Sequence, residues 1–237
     1  MLEFKNVSYS VNGVDILKNV SFSADERFIA VTGPNGSGKS TMAKLIAGII
    51  VPTSGRIILD GEDITEMSIS DRANSGISYA FQQPVRFKGI TVRDLITLAV
   101  GQKVGISEIC AHLSEVGLCA KDYINREIDA SLSGGELKRI EIATVNARNT
   151  KLAVFDEPEA GIDLWSFNNI IKVFENMYER TKGSIVIISH QERILNIADK
   201  VIVIANGTIA AEGSKDEILP TLLDVQSGCR FTAKEGC

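Results

Sequence analysis

Hydrophobic and polar positions alternate through the first ~30 residues, in "LEFKNVSYSV", "VDILKNVSFS" and "ERFIAVTG", which is the period of half-buried strands. A helical pattern follows from Lys39 to Gly48, then a strand and turn in "SGRIILDGED" and a strand ending at a proline in "GISYAFQQP". From Thr91 the spacing turns helical again. Thr91 and Asp94 form a capping box ahead of "LITLAV", and helical character runs to about Leu118. "KLAVFDEP" is a continuous apolar run bounded by charge, which suits a strand buried on both faces of a parallel sheet. "SIVIISH" and "KVIVIANG" read the same way, with helical segments between them. Strand–helix alternation of this kind predicts a parallel α/β core, interrupted by a helical insertion at about 84–140. No internal repeat or linker is visible.

The 237 residues suit one large domain. The net charge of −5 gives no nucleic-acid footprint. No apolar run approaches the roughly 18 residues of a membrane span, and "MLEFKNVSYS" lacks the basic-then-apolar order of a signal peptide, so direct membrane insertion is not expected and the expected compartment is the cytoplasm. Cys110, Cys119, Cys229 and Cys237 form no CxxC pair and read as free thiols. The last two lie in "GCRFTAKEGC", where a metal-handling role is the alternative.

Two segments carry chemistry. "GPNGSGKS", residues 33–40, fits GxxxxGK[ST] between a predicted strand and a predicted helix. Gly33, Pro34, Asn35, Gly36, Ser37 and Gly38 form the phosphate-binding loop, whose glycines let backbone N–H groups turn toward phosphate oxygens. Lys39 reaches the β- and γ-phosphates, Ser40 places its hydroxyl on Mg²⁺, and Thr41 adds a contact from the helix N-terminus. In "LAVFDE", Asp156 ends a buried strand, where a carboxylate orients Mg²⁺. Glu157, one residue on, is placed to take a proton from an attacking water.

With these residues the chain resembles the ATP-binding-cassette (ABC) ATPases from about Leu2 to Gly213. Five motifs stand in the family's order: residues 33–40, Gln82 after a strand, "LSGGE" at 132–136, "FDEP" at 155–158, and His190 after "IVIIS". "AGID", ending at Asp163, occupies the place of the family's D-loop. The resemblance implies a P-loop NTPase fold: a RecA-like core with an antiparallel β subdomain (1–83 and 141–222), a helical subdomain at about 84–140, and a mobile tail at 223–237. It implies ATP and Mg²⁺ as cofactors, with Ser40, Gln82 and Asp156 around the metal. Lys39, Glu157 and His190 are the catalytic candidates, and His190 helps hold the attacking water. His112 reads as structural. Ser133 and Glu136 form a capping box, so Ser133, Gly134, Gly135 and Glu136 present a helix N-terminus. In the family that N-terminus faces the γ-phosphate held by a second subunit. The expected state is therefore a head-to-tail homodimer sandwiching ATP, with Asp163 reaching across.

Within the family, "SGGELKR", "AFQQPVRFKGIT" and "SHQERIL" are similar to SufC, the ATPase of Suf-type iron–sulfur cluster assembly, whose partner is a SufB/SufD-like scaffold. Pro158 in "DEPEAGID" departs toward transporter ATPases. The alternatives are the ATP-binding subunit of a membrane transporter and a nucleotide-gated binding module with little hydrolysis. Val11 aligns with the family's adenine-stacking position, and Tyr9, two residues earlier on the same predicted face, is the other candidate. Lys138 reads as a solvated lysine on the helix that follows "LSGGE"; the alternative is a pair with Glu157 in a resting monomer that holds that carboxylate away from its working position.

Overall fold

The computed structural model describes residues 1–227. In chain order, β1 (Leu2–Val11), β2 (Val14–Ala24) and β3 (Phe28–Thr32) lead into α1 (Lys39–Ala47). Next come β4 (Ser54–Leu59), β5 (Glu62–Asp63), α2 (Ile69–Asn74) and β6 (Ile77–Ala80). The middle of the chain holds β7 (Phe87–Thr91), α3 (Val92–Val100), α4 (Ile106–Glu115), α5 (Ala120–Tyr123), β8 (Glu127–Ile128) and α6 (Gly134–Arg148). The remainder is β9 (Leu152–Asp156), α7 (Leu164–Arg180), β10 (Ser184–Ile188), α8 (Glu192–Ile197), β11 (Lys200–Ala205), β12 (Thr208–Ser214) and α9 (Lys215–Ser227).

A six-stranded sheet runs β12-β11-β3-β10-β9-β6, parallel except for β12 at its edge. A four-stranded antiparallel sheet, β2-β1-β4-β5, lies against it. The period of 2 along the buried strands divides the core in two. Ile29, Val31, Leu152, Val154, Val186, Ile188, Ile202 and Ile204 face the antiparallel sheet and α1, where Phe4, Leu17, Met42 and Leu45 meet them. Their neighbours Phe28, Ala30, Ala153, Phe155, Ile185, Ile187, Val201 and Val203 face the helices, packing with Ile96, Leu113, Ile140 and Phe174. This is why these strands read as continuous apolar runs. β3 belongs with them: all five of its residues are buried, so "FIAVT" is a central parallel strand and not the half-buried strand its position after two alternating segments suggests.

The stretch expected as purely helical also contains β7 and β8, which pair antiparallel and bring Arg126 O to accept from Val92 N at the start of α3. The Thr91/Asp94 capping box forms there in both directions. At the other end, α9 continues to Ser227, so residues 223–227 are helical where a tail was expected. Cys229 and Cys237 lie outside the described residues. Cys110 is half-buried, Cys119 is exposed, and both are free thiols.

Candidate active site

The carboxyl ends of β3 and β9 lie two strands apart, with β10 between them, and place the loop 33–40 and Asp156 side by side. Gly33 has φ 136°, and a Cβ there would lie 1.9 Å from Ile204 O, so only glycine lets the loop leave β3 past β11. α1 then begins at Lys39. The Lys39 ammonium donates to Gly33 O and Pro34 O, each at 2.8 Å. Burial lowers the Lys39 pKa, and Glu157 and Asp156 oppose that shift. Ser40 Oγ donates to Asp156 Oδ1 at 3.0 Å, and Tyr79 OH donates to Asp156 Oδ2 at 3.0 Å. Asp156 is buried, which pushes its carboxyl up against the lowering effect of those two hydrogen bonds.

Glu157 turns the chain out of β9 with φ 47°, its N–H donating to Ile188 O at 3.0 Å. A non-glycine residue held there stores about 1–3 kcal/mol of strain. Its Oε2 accepts from Gln82 Nε2 at 2.7 Å. Lys138 does not reach this carboxylate. Its fully buried ammonium donates to Phe81 O, lies 3.4 Å from Gln82 O and Asp156 O, and pairs with Glu141 Oε2 at 3.4 Å. Lys138 is thus neither the solvated lysine expected nor a partner of Glu157: it is fully buried and pairs with Glu141, one helical turn away on α6. Glu141 is the nearer carboxylate because α6 carries both residues on the same face. Burial is the main cause of both their shifts, lowering Lys138 and raising Glu141.

His190 follows β10. Its N–H reaches Glu159 Oε1 at 3.4 Å, and Ser189 Oγ donates to the same oxygen at 2.6 Å. Burial, then the Lys39 charge, lower the His190 pKa, so the ring is neutral at pH 7.

A cleft of about 400 Å³ is lined by Ile16, Asn35, Gly36, Gly38, Lys39, Ser40, Thr41, Gln82 and Glu157. Ile16, on β2, escaped sequence reasoning. The adenine candidates fare differently. Val11 is exposed at the end of β1, while Tyr9 packs against the core between the sheets. Tyr79 and Glu159 were also missed. The first is brought to Asp156 only by the β6–β9 pairing, which nothing local in "GISYAFQ" encodes.

Ser133–Glu136 are not among the residues lining that cleft. Ser133 Oγ accepts from Glu136 N at 3.3 Å and Ser133 N donates to Glu136 Oε2 at 2.7 Å, the reciprocal box expected. Tyr123 OH also donates to Glu136, and Arg126 Nη1 lies 3.5 Å from it. Together with Ser133 they hold the Glu136 carboxyl down at about 2. A Cβ on Gly135 would lie 2.9 Å from Gly161 O, so the helix start rests on the 160–163 loop. Asp163 caps α7, accepting from Trp165 N and Ser166 N at 3.0 Å each.

Among the described residues no cluster of three or more His, Cys, Asp or Glu side chains could hold a metal by itself. Ser40, Asp156 and Gln82 are hard oxygen donors, and the pre-formed Ser40–Asp156 contact suits Mg²⁺ carried in on a nucleotide.

The family model for "ABC transporter" matches residues 17–160. An uncharacterized ABC transporter ATP-binding protein of Methanocaldococcus jannaschii is 40% identical over 86% of this chain and 85% of its own length. A probable ATP-dependent transporter, ycf16, of Pyropia yezoensis is 34% identical over 90% of this chain and 91% of its own. The energy-coupling factor transporter ATP-binding protein EcfA1 of Ureaplasma parvum is 34% identical over 98% and 82%. These names describe transport subunits, and iron–sulfur assembly is not among them. A dimeric ATP-binding cassette bound to ADP and Pi shares the fold, with TM-score 0.80 at 23% identity over 91% of this chain and 99% of that one. The chain belongs to the ABC transporter family of ATPases, which bind ATP with Mg²⁺ and hydrolyse it.

Proposed function

We propose that this chain is the ATP-hydrolysing subunit of a transporter. Two copies close head to tail on two ATP molecules, the phosphate loop of each facing Ser133–Glu136 of the other. One observation carries the pairing. The α6 N-terminus is capped, positively polarised and rich in N–H donors, yet it stands outside the phosphate cleft of its own chain. In this reading Lys39 and the loop amides neutralise phosphate charge, and Ser40, Gln82 and Asp156 surround Mg²⁺. Glu157 polarises water and neutral His190 orients it. Asp163 sets the loop that meets the other copy.

Mixing tests it. A Lys39→Ala chain and a Ser133→Arg chain are each inactive alone. Mixed dimers of the two hold one site with both lesions and one with neither, so an equal mixture regains roughly a quarter of the parent rate. A mixture as inactive as its components sinks the shared site.

For the load, the relatives' names favour a membrane partner. No helix of the described residues is long and apolar enough to cross a membrane, so the spanning part lies elsewhere in this reading. Closure reaches the partner through residues 82–100. An apolar groove of about 310 Å³, lined by Phe81, Pro84, Val85, Phe87 and Leu95 among others, offers the contact. A second reading, a SufC-like role with a SufB/SufD-like scaffold, is supported by the buried Lys138 of "SGGELKR", which anchors the "AFQQP" loop directly. Tagging the chain in its native host separates the two. A polytopic membrane protein supports the first reading, and a soluble partner with iron and sulfide in the same fraction supports the second.

A further inference from the structure

Phe81 is the first residue after β6, and its peptide groups are held from both sides by α6. Glu141 Oε1 accepts from Phe81 N at 2.9 Å, and Lys138 Nζ donates to Phe81 O. The same ammonium lies 3.4 Å from Gln82 O and 3.4 Å from Asp156 O, and the pair closes on itself at 3.4 Å. A single buried pair therefore touches the root of the Gln82 loop, the end of β9 and the helix that begins at Ser133. Gln82 leaves this anchored peptide and places its amide 2.7 Å from Glu157 Oε2.

We infer that Lys138 and Glu141 are positioning residues for hydrolysis, a latch that fixes Gln82 against Glu157 and makes the Gln82 loop move with α6. A buried pair is costly to desolvate and two apolar residues fill such a site about as well, so fold stability gives a weak reason for keeping it. Anchoring is a stronger one. The pair supplies a donor and an acceptor one turn apart, the spacing that spans a peptide's carbonyl and its N–H. When α6 shifts to meet a second copy, Phe81 and Gln82 shift with it, and the geometry around Glu157 follows. This rests on the role proposed above for Gln82 near Mg²⁺.

The test is a double variant, Lys138→Met/Glu141→Leu, which removes both charges together. Expected is a thermal midpoint close to the parent's, with kcat lowered about tenfold or more by the misplaced Gln82. The KM for ATP stays within about twofold, because the phosphate loop is untouched, and the Mg²⁺ concentration for half-maximal rate rises. Added to Gln82→Ala, the same pair of changes costs less than about twofold further, since both act through one side chain. Unchanged kcat and Mg²⁺ dependence in the double variant overturn the latch and leave a purely structural pair. Losses that multiply with those of Gln82→Ala overturn it too. If Gln82→Ala alone leaves rate and Mg²⁺ dependence intact, the Gln82 role falls and the latch falls with it. That outcome is distinguishable because the other two require an impaired Gln82→Ala. Should the double variant not fold, Glu141→Gln and Glu141→Ala replace it. Both lose the charge, and only the glutamine keeps an oxygen for Phe81 N–H. Equal kcat in the two refutes the latch, and a higher kcat in Glu141→Gln supports it.

Discussion

The phosphate loop and the start of α6 are both helix N-termini built from glycines, and they are finished in opposite ways. Lys39, Ser37 and Asp156 are buried, and the loop is clamped between β3, β11 and β9. Ser133–Glu136 are tied mainly to themselves and to Tyr123 and Arg126. The first is a ligand site built within one chain. The second is a stiffened surface turned outward. In the proposed reading chemistry is concentrated at the first and assembly at the second, so lesions at the two ends are expected to have different signatures.

The largest difference is expected at Glu157. Glu157→Gln keeps the cleft's hydrogen-bonding shape and removes the proposed base, so kcat is expected to fall about 100-fold or more while ATP still binds. Single-turnover phosphate release alongside equilibrium nucleotide binding measures both. A variant hydrolysing near the parent rate removes Glu157 from the mechanism. Because binding survives, this variant also accumulates the closed pair, visible as an ATP-dependent shift to dimer in light scattering.

Lys138 comes next and tests the boundary between the two ends. Lys138→Ala strands Glu141 as a buried, unpaired carboxylate, at a cost of about 3–5 kcal/mol. The thermal midpoint then falls by roughly 2–4 °C for each kcal/mol. A midpoint within a degree or so of the parent's means that the carboxylate takes up a proton or water instead.

How far the sequence carried is best judged on these same residues. The phosphate loop was legible because its geometry is written in eight contiguous residues, with a strand before and a helix after. The two capping boxes were legible because each spans a single turn. The partner of Lys138 was not. A 19-residue separation from Glu157 says nothing about which carboxylate lies nearer, while Glu141, one turn away, was overlooked. Tyr79 reaches the site through the pairing of β6 with β9, far apart in sequence, and Ile16 through the close approach of β2 to Gly38. β7 and β8 form only against each other, and "RFKGIT" alone carries no alternation to announce them.

Smaller effects belong to the outward end. Ser133→Ala deletes the acceptor for Glu136 N and costs about 1 kcal/mol, with ATP affinity of the monomer unchanged. Calorimetry and nucleotide titration of the same sample separate the two. Loss of monomer ATP affinity contradicts the division of labour between the ends.

The smallest effect is one of pH, and its sign separates the ends again. The Glu136 carboxyl sits at about 2 in the folded chain against an ordinary 4.5, because Tyr123 and Ser133 donate to its charged form. The folded state therefore holds that proton less readily than the unfolded chain. The stabilisation is complete above the ordinary value and is lost as pH falls through the window between 4.5 and about 2. Asp156 behaves in the opposite sense. Burial raises its pKa above its ordinary value, so its charge, assigned to Mg²⁺ in the proposed reading, is the first of the two to go in acid. Comparing urea midpoints of the parent and Glu136→Gln across this range checks the first sign: the parent's advantage is constant near neutrality and closes toward the acid end. Following Mg²⁺-dependent ATP binding in the same buffers checks the second, and binding is lost before the parent's advantage has fully closed. If the two decline together, one acid transition governs both ends, and the start of α6 is not the independently stabilised surface described above.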